Sequence, residues 1–357
     1  MERPPREVLI AYPEACRPRR IEFLDWAGGF SGALLWKLET PSGAFCLRRW
    51  PRAHPTEDRL RFIHAVQHWA SARGCSFVPV PSPTRDGESY VRHGGFLWEL
   101  ATWMPGSADY RRRPSVGKLQ AAMRAMAQVH MALATFPPPE PARVLAVSPG
   151  IVERRRRLAE WAGRDLGELS DSLPSIGCPE LDRLMRHVLD MVPAALPGLD
   201  CLLAHAERQV VPLQPCLCDV WHEHVLYLED RVAGLVDFGA ARFENVAADI
   251  ARLLGSMVLD DAQGWVAGME AYGAIRPLSH AEIDLIEAFD RSTVVLSGLN
   301  WTDWIYLQQR EFPSHAAVLD RLQEIAQRLE SVVAGDGVHP VRRYRPEPGF
   351  HHALQFP

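Results

Sequence analysis

The stretch Cys216-Leu217-Cys218-Asp219-Val220-Trp221-His222-Glu223-His224-Val225-Leu226, followed after one apolar run by Val236-Asp237-Phe238-Gly239, constrains this chain more than any other. Residues 225–228 and 232–236 are apolar and β-branched, and Glu229-Asp230-Arg231 between them is a polar turn, so the piece reads as a β-hairpin. Asp219 then falls in the loop that enters the hairpin and Asp237 at its exit. A hairpin brings its two ends together. One carboxylate could therefore face an attacking hydroxyl while the other holds a metal ion on phosphates, which is the layout of phosphoryl transfer.

Upstream, residues 21–26, 33–38 and 44–50 have strand character, with Gly28-Gly29-Phe30-Ser31-Gly32 and Pro41-Ser42-Gly43 as turns. A glycine-rich turn between strands is either a plain antiparallel corner or a phosphate-binding loop. Backbone N–H groups can cradle an anion there because no Cβ blocks the approach. On the third strand Arg48 follows the apolar Leu47, and alternation puts Arg49 on the opposite face. Residues 57–72 carry apolar side chains at helical spacing (Leu60, Ile63, Val66, Trp69, Ala70) and end near Gly74, where a helix-stopping glycine is expected.

Taken in order, these motifs resemble the aminoglycoside phosphotransferase-like small-molecule kinases, relatives of choline kinase and of the protein kinases. The resemblance covers most of the chain and is most specific in the central block. It implies a catalytic role for Asp219 and metal ligation by Asp237. It places Gly28, Gly29, Ser31 and Gly32 over the nucleotide phosphates, Arg48 where the family has a phosphate-contacting lysine, and Glu99-Leu100-Ala101 at the hinge that holds adenine through backbone groups. ATP or another nucleoside triphosphate, with Mg2+ or Mn2+, is the implied cofactor set. The implied acceptor is a hydroxyl of a small molecule.

The sequence departs from the family pattern at four places. His224 stands where a metal-binding Asn belongs, and Leu217-Cys218 replaces the usual His-Gly before the catalytic Asp. Arginine replaces the lysine; Lys37 and Lys118 are the only lysines. No acid lies in the middle or second half of helix 57–72, where kinases carry the lysine's glutamate partner. Arginine can still clamp phosphate through its planar fork.

Beyond Met104-Pro105-Gly106 the chain is mostly helical. Helical spacing marks 117–136, 151–168, 179–189, 281–309 and 313–334, with a proline-rich linker at 137–149. Asp249-Ile250-Ala251 opens a helix after the Asp-Phe-Gly motif, and Asp249 reads as a loop anchor. Trp301, Trp304 and Tyr306 have either core-packing or cation-caging character, and helical spacing favours packing. With the resemblance, the expected fold class is α+β: a bilobal protein-kinase-like architecture with a small antiparallel-sheet lobe (1–105) that binds nucleotide and a larger, mainly helical catalytic and substrate lobe (106–357).

At 357 residues, with 47% hydrophobic and 23% charged side chains and a formal net charge of −5, the chain suits two lobes and advertises no basic face for nucleic acid. Its seven cysteines form no disulfide framework, which points to a reducing, cytoplasmic setting. No signal peptide or window of transmembrane length is evident, so no membrane partner is expected. Oligomeric state is not encoded in any motif. Two further readings stay open: a pseudokinase that binds nucleotide without turnover, and a metal site built from Cys218, His222 and His224.

Overall fold

The computed structural model of the chain describes residues 3–24, 32–138, 144–310, 312, 315–335 and 338–345. Two compact units result, the first comprising Met1–Phe136 with His222–Ala241 and the second Pro137–Trp221 with Arg242–Pro357. The Asp-Phe-Gly hairpin thus packs with the N-terminal sheet, and Asp219 belongs to the second unit.

In the first unit a short helix α1 (Arg6–Ile10) precedes strands β1 (Arg20–Leu24), β2 (Leu34–Thr40), β3 (Gly43–Arg49), β4 (Val91–His93) and β5 (Phe96–Thr102). They form one antiparallel sheet in the order β1-β2-β3-β5-β4. Alternation sends Trp36, Leu38, Leu47, Trp98 and Leu100 into a core closed by Val8 and Tyr12. Trp36 and Trp98 stack there with ring centroids 5.4 Å apart. The 77–81 segment forms no strand of this sheet and meets it through an isolated bridge from Pro81 to Ala101. Its prolines, Pro79 and Pro81, have no N–H to donate to a ladder.

Helix α2 (Glu57–Ala72) starts where Thr56 Oγ1 accepts the Arg59 N–H at 3.3 Å, and the chain turns away through Gly74 at φ 93°. Leu60, Ile63 and Val66 are buried, each worth about 1.5–3 kcal/mol. Helix α3 (Val116–Leu133) follows. Of the two lysines, Lys118 is buried and donates to Asp109 at 2.8 Å, whereas Lys37 lies over the Trp103 ring.

In the second unit the short strands pair as β6 (Leu145–Ala146) with β7 (Val211–Pro212) and as β8 (Gln214–Cys216) with β11 (Arg242–Glu244), and the Asp219 loop follows β8. Between β8 and β11 in sequence lie β9 (Val225–Leu228) and β10 (Arg231–Leu235), the hairpin of the first unit. The helices of the second unit are α4 (Pro149–Ala162), α5 (Leu166–Ser172), α6 (Pro179–Ala206), α7 (Ala247–Val258), α8 (Ala262–Gly273), α9 (His280–Thr302) and α10 (His315–Ala334).

Two helical expectations are corrected. The run 151–168 breaks into α4 and α5 at Gly163, with Asp165 capping α5. The helix expected over 179–189 continues to Ala206 through Pro193 and Pro197, because a buried face from Leu181 and Met185 to Leu199 and Leu203 persists along it. By length and composition alone this helix could cross a membrane, contrary to the expectation that no window is long enough. Its apolar face is instead covered by α4, α9 and α10. Trp301 and Tyr306 are buried at the end of α9, and Tyr306 Oη donates to Asp182 at 2.8 Å, so the aromatic cluster packs.

Candidate active site

Strand β3 turns Leu47 into the core and so turns Arg48 to the other face of the sheet. There Arg48 lies in register with Glu99 on β5. Its Nε is 3.5 Å from Glu99 Oε1, its Nη1 is 3.4 Å from Asp237 Oδ1, and its guanidinium covers the Trp50 ring at 4.5 Å. Burial would lower the Arg48 pKa, but Asp237 and Glu99 hold it raised, so the residue is a fixed cation. Arg49 points away, onto Phe96.

Glu99 has a second partner. His64, on the buried side of α2, lies with Nε2 2.6 Å from Glu99 Oε2, which requires the ring to donate from that nitrogen. Burial pushes the Glu99 carboxyl up, and the hydrogen bond from His64 with the charge of Arg48 more than offsets it, leaving the pKa lowered. His64 Nδ1 has no hydrogen-bond partner among the described residues. The acid missing from α2 is therefore supplied by the neighbouring strand, and α2 supplies a histidine behind it. The signal for His64 was a polar side chain inside the apolar stripe Leu60, Ile63, Val66.

The hairpin β9–β10 closes with the Val236 N–H donating to the His224 carbonyl at 2.9 Å. This brings His224 Nε2 within 3.6 Å of Asp237 Oδ2. Asp237 adopts φ 64°, a left-handed conformation that costs a non-glycine residue of order 1–3 kcal/mol and clusters at functional sites. Its Oδ1 accepts the Gly239 N–H at 3.3 Å. A Cβ on Gly239 would meet the Trp50 ring and Asp237 Oδ1 at 3.2 Å, so the glycine permits this close approach. Farther along, Arg59 donates to the Ala240 carbonyl at 3.0 Å. Burial raises the Asp237 pKa, and the charges of Arg48 and His224 with the Gly239 hydrogen bond bring it below the ordinary carboxylate range. An imidazole nitrogen and a carboxylate oxygen 3.6 Å apart suit a divalent ion that takes its remaining ligands from water and phosphate oxygens.

In the second unit Asp219 follows Cys218, which sits at φ 66°. Glycine is the family's residue at that position, and the left-handed backbone explains why: only glycine adopts it without steric cost. Asp249 holds the loop, accepting the Leu217 and Cys218 N–H groups at 2.7 and 2.6 Å, so it is the anchor that its place in the sequence suggested. The Asp219 side chain is 59% exposed, with Oδ1 accepting from Arg252 of α7 at 3.2 Å. Burial pushes the Cys218 thiol well above its ordinary range, and its Sγ turns to the Cys216 carbonyl.

The remaining expected contacts are placed as follows. Glu99 and Ala101 lie inside β5, with the Ala101 bridge to Pro81 on one edge and Arg48 opposite Glu99 on the other; the side chain of Glu99 is what reaches the cluster. Gly32 is at φ 74°, while Gly28, Gly29 and Ser31 lie outside the described residues. The structure thus brings Arg48, Glu99, His224 and Asp237 together within the first unit.

A model of the phosphotransferase enzyme family matches residues 26–282. The chain is 28% identical over 289 residues to a homoserine kinase of Brucella anthropi, covering 77% of each, and 26% identical over 264 residues to one of Rhizobium johnstonii, covering 72% of this chain and 73% of the relative. Similar solved structures include an aminoglycoside phosphotransferase of Alicyclobacillus acidocaldarius (TM-score 0.60, 19% identity, 96% of both chains). Another is an amicoumacin kinase in complex with AMP-PNP and Ca2+ (TM-score 0.60, 14% identity, 95% of this chain and 94% of that one). A microcompartment-associated aminopropanol kinase also matches (TM-score 0.59, 14% identity, 94% and 98%). These likenesses show the kinase-like fold.

Proposed function

We propose that this chain, which belongs to the phosphotransferase enzyme family and is a small-molecule kinase, transfers the γ-phosphoryl group of ATP, or of another nucleoside triphosphate, to the hydroxyl of an amino-acid or amino-alcohol acceptor. The observation that carries this reading is the cluster of Arg48, Glu99, His224 and Asp237 at the exit of the hairpin. Arg48 would contact phosphate, with Glu99 and His64 holding its guanidinium in place. Asp237 and His224 would hold the divalent ion, Mg2+ or Mn2+, which when bound neutralises charge on the phosphate oxygens. Gly28, Gly29, Ser31 and Gly32 would cover the phosphates, with residues 1–105 forming the nucleotide lobe and 106–357 the catalytic lobe.

In the reaction the acceptor oxygen forms a bond to the γ-phosphorus as the bond from that phosphorus to the β–γ bridging oxygen breaks. ADP leaves, and the hydroxyl proton passes to Asp219. Homoserine leads among acceptors because the curated relatives carry that name and span most of this chain. The test is ATP-dependent phosphorylation of L-homoserine, aminopropanol, choline and an aminoglycoside, followed by ADP release. Turnover of one of these acceptors is expected. Nucleotide binding with no turnover on any would overturn the reading in favour of a pseudokinase, which the pairing of Arg48 with two carboxylates also favours.

A further inference from the structure

Helix α4 is seated on a buried carboxylate. Glu244 of β11 accepts the Ser148 hydroxyl at 2.5 Å, the Gly150 N–H at 2.7 Å and the Asn245 N–H at 2.9 Å, so both its oxygens are occupied. One turn along α4, Arg154 donates to the buried Ser292 of α9 at 3.2 Å and lies over the Phe289 ring at 5.0 Å. Among the described residues Arg154 forms no ion pair, whereas Arg155 and Arg156 beside it form two each, with Asp200 and Glu207 and with Glu153 and Glu160. Arg157 is held by Asn300 alone. Arg242, on β11, reaches a carboxylate only at 3.9 Å, and that carboxylate is the occupied Glu244. Across the β8–β11 ladder Arg242 stands opposite Cys216, three residues before Asp219, and Arg252 of α7 bonds Asp219 itself at 3.2 Å. Burial lowers the Arg154 pKa, and against the pull of Glu244 the charges of Arg242, Arg252 and Arg157 help to bring it to about 10.

A cation taken largely out of water and set among other cations is costly unless an anion matches it. The protein's own carboxylates do not: Glu244 is occupied and Asp219 is engaged by Arg252. The missing anion therefore comes from a ligand. Arg154 is partly exposed and the Arg242 side chain 45% exposed, so a ligand can reach both. The proposed reaction has two sources of anion, nucleotide and acceptor. The nucleotide phosphates are assigned to the first unit, while these arginines lie in the second, with Asp219. A carboxylate fits them, since a planar guanidinium fork binds it through two parallel hydrogen bonds. We propose that Arg154 and Arg242 bind the carboxylate of a hydroxy amino acid whose hydroxyl is presented to Asp219. This rests on the kinase reading above and adds to it the feature that separates an amino-acid acceptor from an amino alcohol.

The experiment compares L-homoserine with 3-aminopropan-1-ol, which is homoserine without its carboxylate, in the wild type and in Arg154→Gln, Arg154→Lys and Arg242→Gln. The wild type should prefer homoserine by about 100-fold or more in kcat/KM, because a site built for a polar group strongly rejects an analogue lacking it. Arg154→Gln and Arg242→Gln should each raise the homoserine KM roughly 10- to 100-fold and leave aminopropanol turnover and ATP affinity near those of the wild type. Arg154→Lys should fall between, because it keeps the charge and loses the fork. Thermal melts supply a reading that needs no substrate. Arg154→Gln keeps a donor for Ser292 and removes an unmatched charge, so it should melt no lower than the wild type; a melting temperature several degrees lower marks a structural arginine and overturns the proposal. Equal use of both acceptors by the wild type, equal losses for both in the glutamine variants, or a loss confined to ATP affinity would also overturn it. If ATP binds but no acceptor turns over, the kinase reading fails separately. Calorimetric binding of L-homoserine then still reads the site: affinity that weakens in Arg154→Gln and Arg242→Gln supports it, and affinity that is absent or unchanged overturns it.

Discussion

Arg48 and Glu99 face each other in register across the β3–β5 ladder, with Nε 3.5 Å from Oε1, and the far side of the Glu99 carboxylate is held by His64 at 2.6 Å. A strand-to-strand ion pair is set by the sheet itself and braced by α2. The bracing matters because a buried carboxylate with one partner removed becomes a costly uncompensated charge.

Replacing Glu99 therefore has two separable effects. Glu99→Gln keeps the shape and removes the charge, and should weaken ATP binding about tenfold while leaving adenosine binding nearly unchanged, since one misplaced phosphate contact is worth roughly 1.5–3 kcal/mol at most. Arg48→Ala should show the same selectivity with a larger loss. Calorimetry with both ligands decides: equal weakening of ATP and adenosine would indicate a collapsed sheet instead.

Asp219→Asn should lower kcat by roughly 10²- to 10⁴-fold, the range of a positioned general base. ATP affinity should stay near that of the wild type, because Asp219 is assigned to the acceptor. Wild-type turnover in this variant would remove Asp219 from its assigned role.

Asp290 supplies a prediction about acid stability. Burial raises its carboxyl pKa, but Arg328 at 2.6 Å and His339 at 2.9 Å more than offset this and bring it to about 2. A carboxyl depressed on folding stabilises the native state above its unfolded pKa of about 3.9, and that contribution is lost as pH falls through the folded value. The wild type should lose it between about pH 4 and pH 2. Asp290→Asn should be less stable at neutral pH, by about 3–5 kcal/mol, and should lack that acid-dependent component in urea melts followed by circular dichroism.

The hairpin, α2 and the anchoring role of Asp249 were legible because each is local: a two-residue period, a helical stripe, and an acid at the start of a helix. The partners of Arg48 were not. Which residue of β5 faces Arg48 depends on strand register, and that is fixed by the tertiary core of Trp36, Leu47 and Trp98 rather than by the strand's own sequence. A search for the missing acid along α2 could not find it on β5. Glu99, read as a hinge position through its backbone, also presents its side chain to Arg48 and His64. Similarly, the helix expected over 179–189 falls short of Pro193 and Pro197, yet an amphipathic face buried on both sides of them carries α6 through.

His224 offers the sharpest test of how far this site departs from its family. Magnesium prefers oxygen donors in near-ideal octahedral geometry, while imidazole nitrogen suits manganese, cobalt or zinc better. His224 Nε2 lies 3.6 Å from Asp237 Oδ2, close enough for both to bind one ion. Activity should therefore be higher with Mn2+ than with Mg2+ at equal concentration. His224→Asn, which restores the family's oxygen donor, should shift that preference toward Mg2+, while His224→Ala should weaken both ions. Titrating each metal against turnover, with metal binding read independently by Mn2+ paramagnetic resonance, separates ligation from loop packing. If His224 only holds the hairpin closed, His224→Asn leaves the ratio of the two metals where it was, and Asp237 is then the protein's sole metal ligand in this cluster.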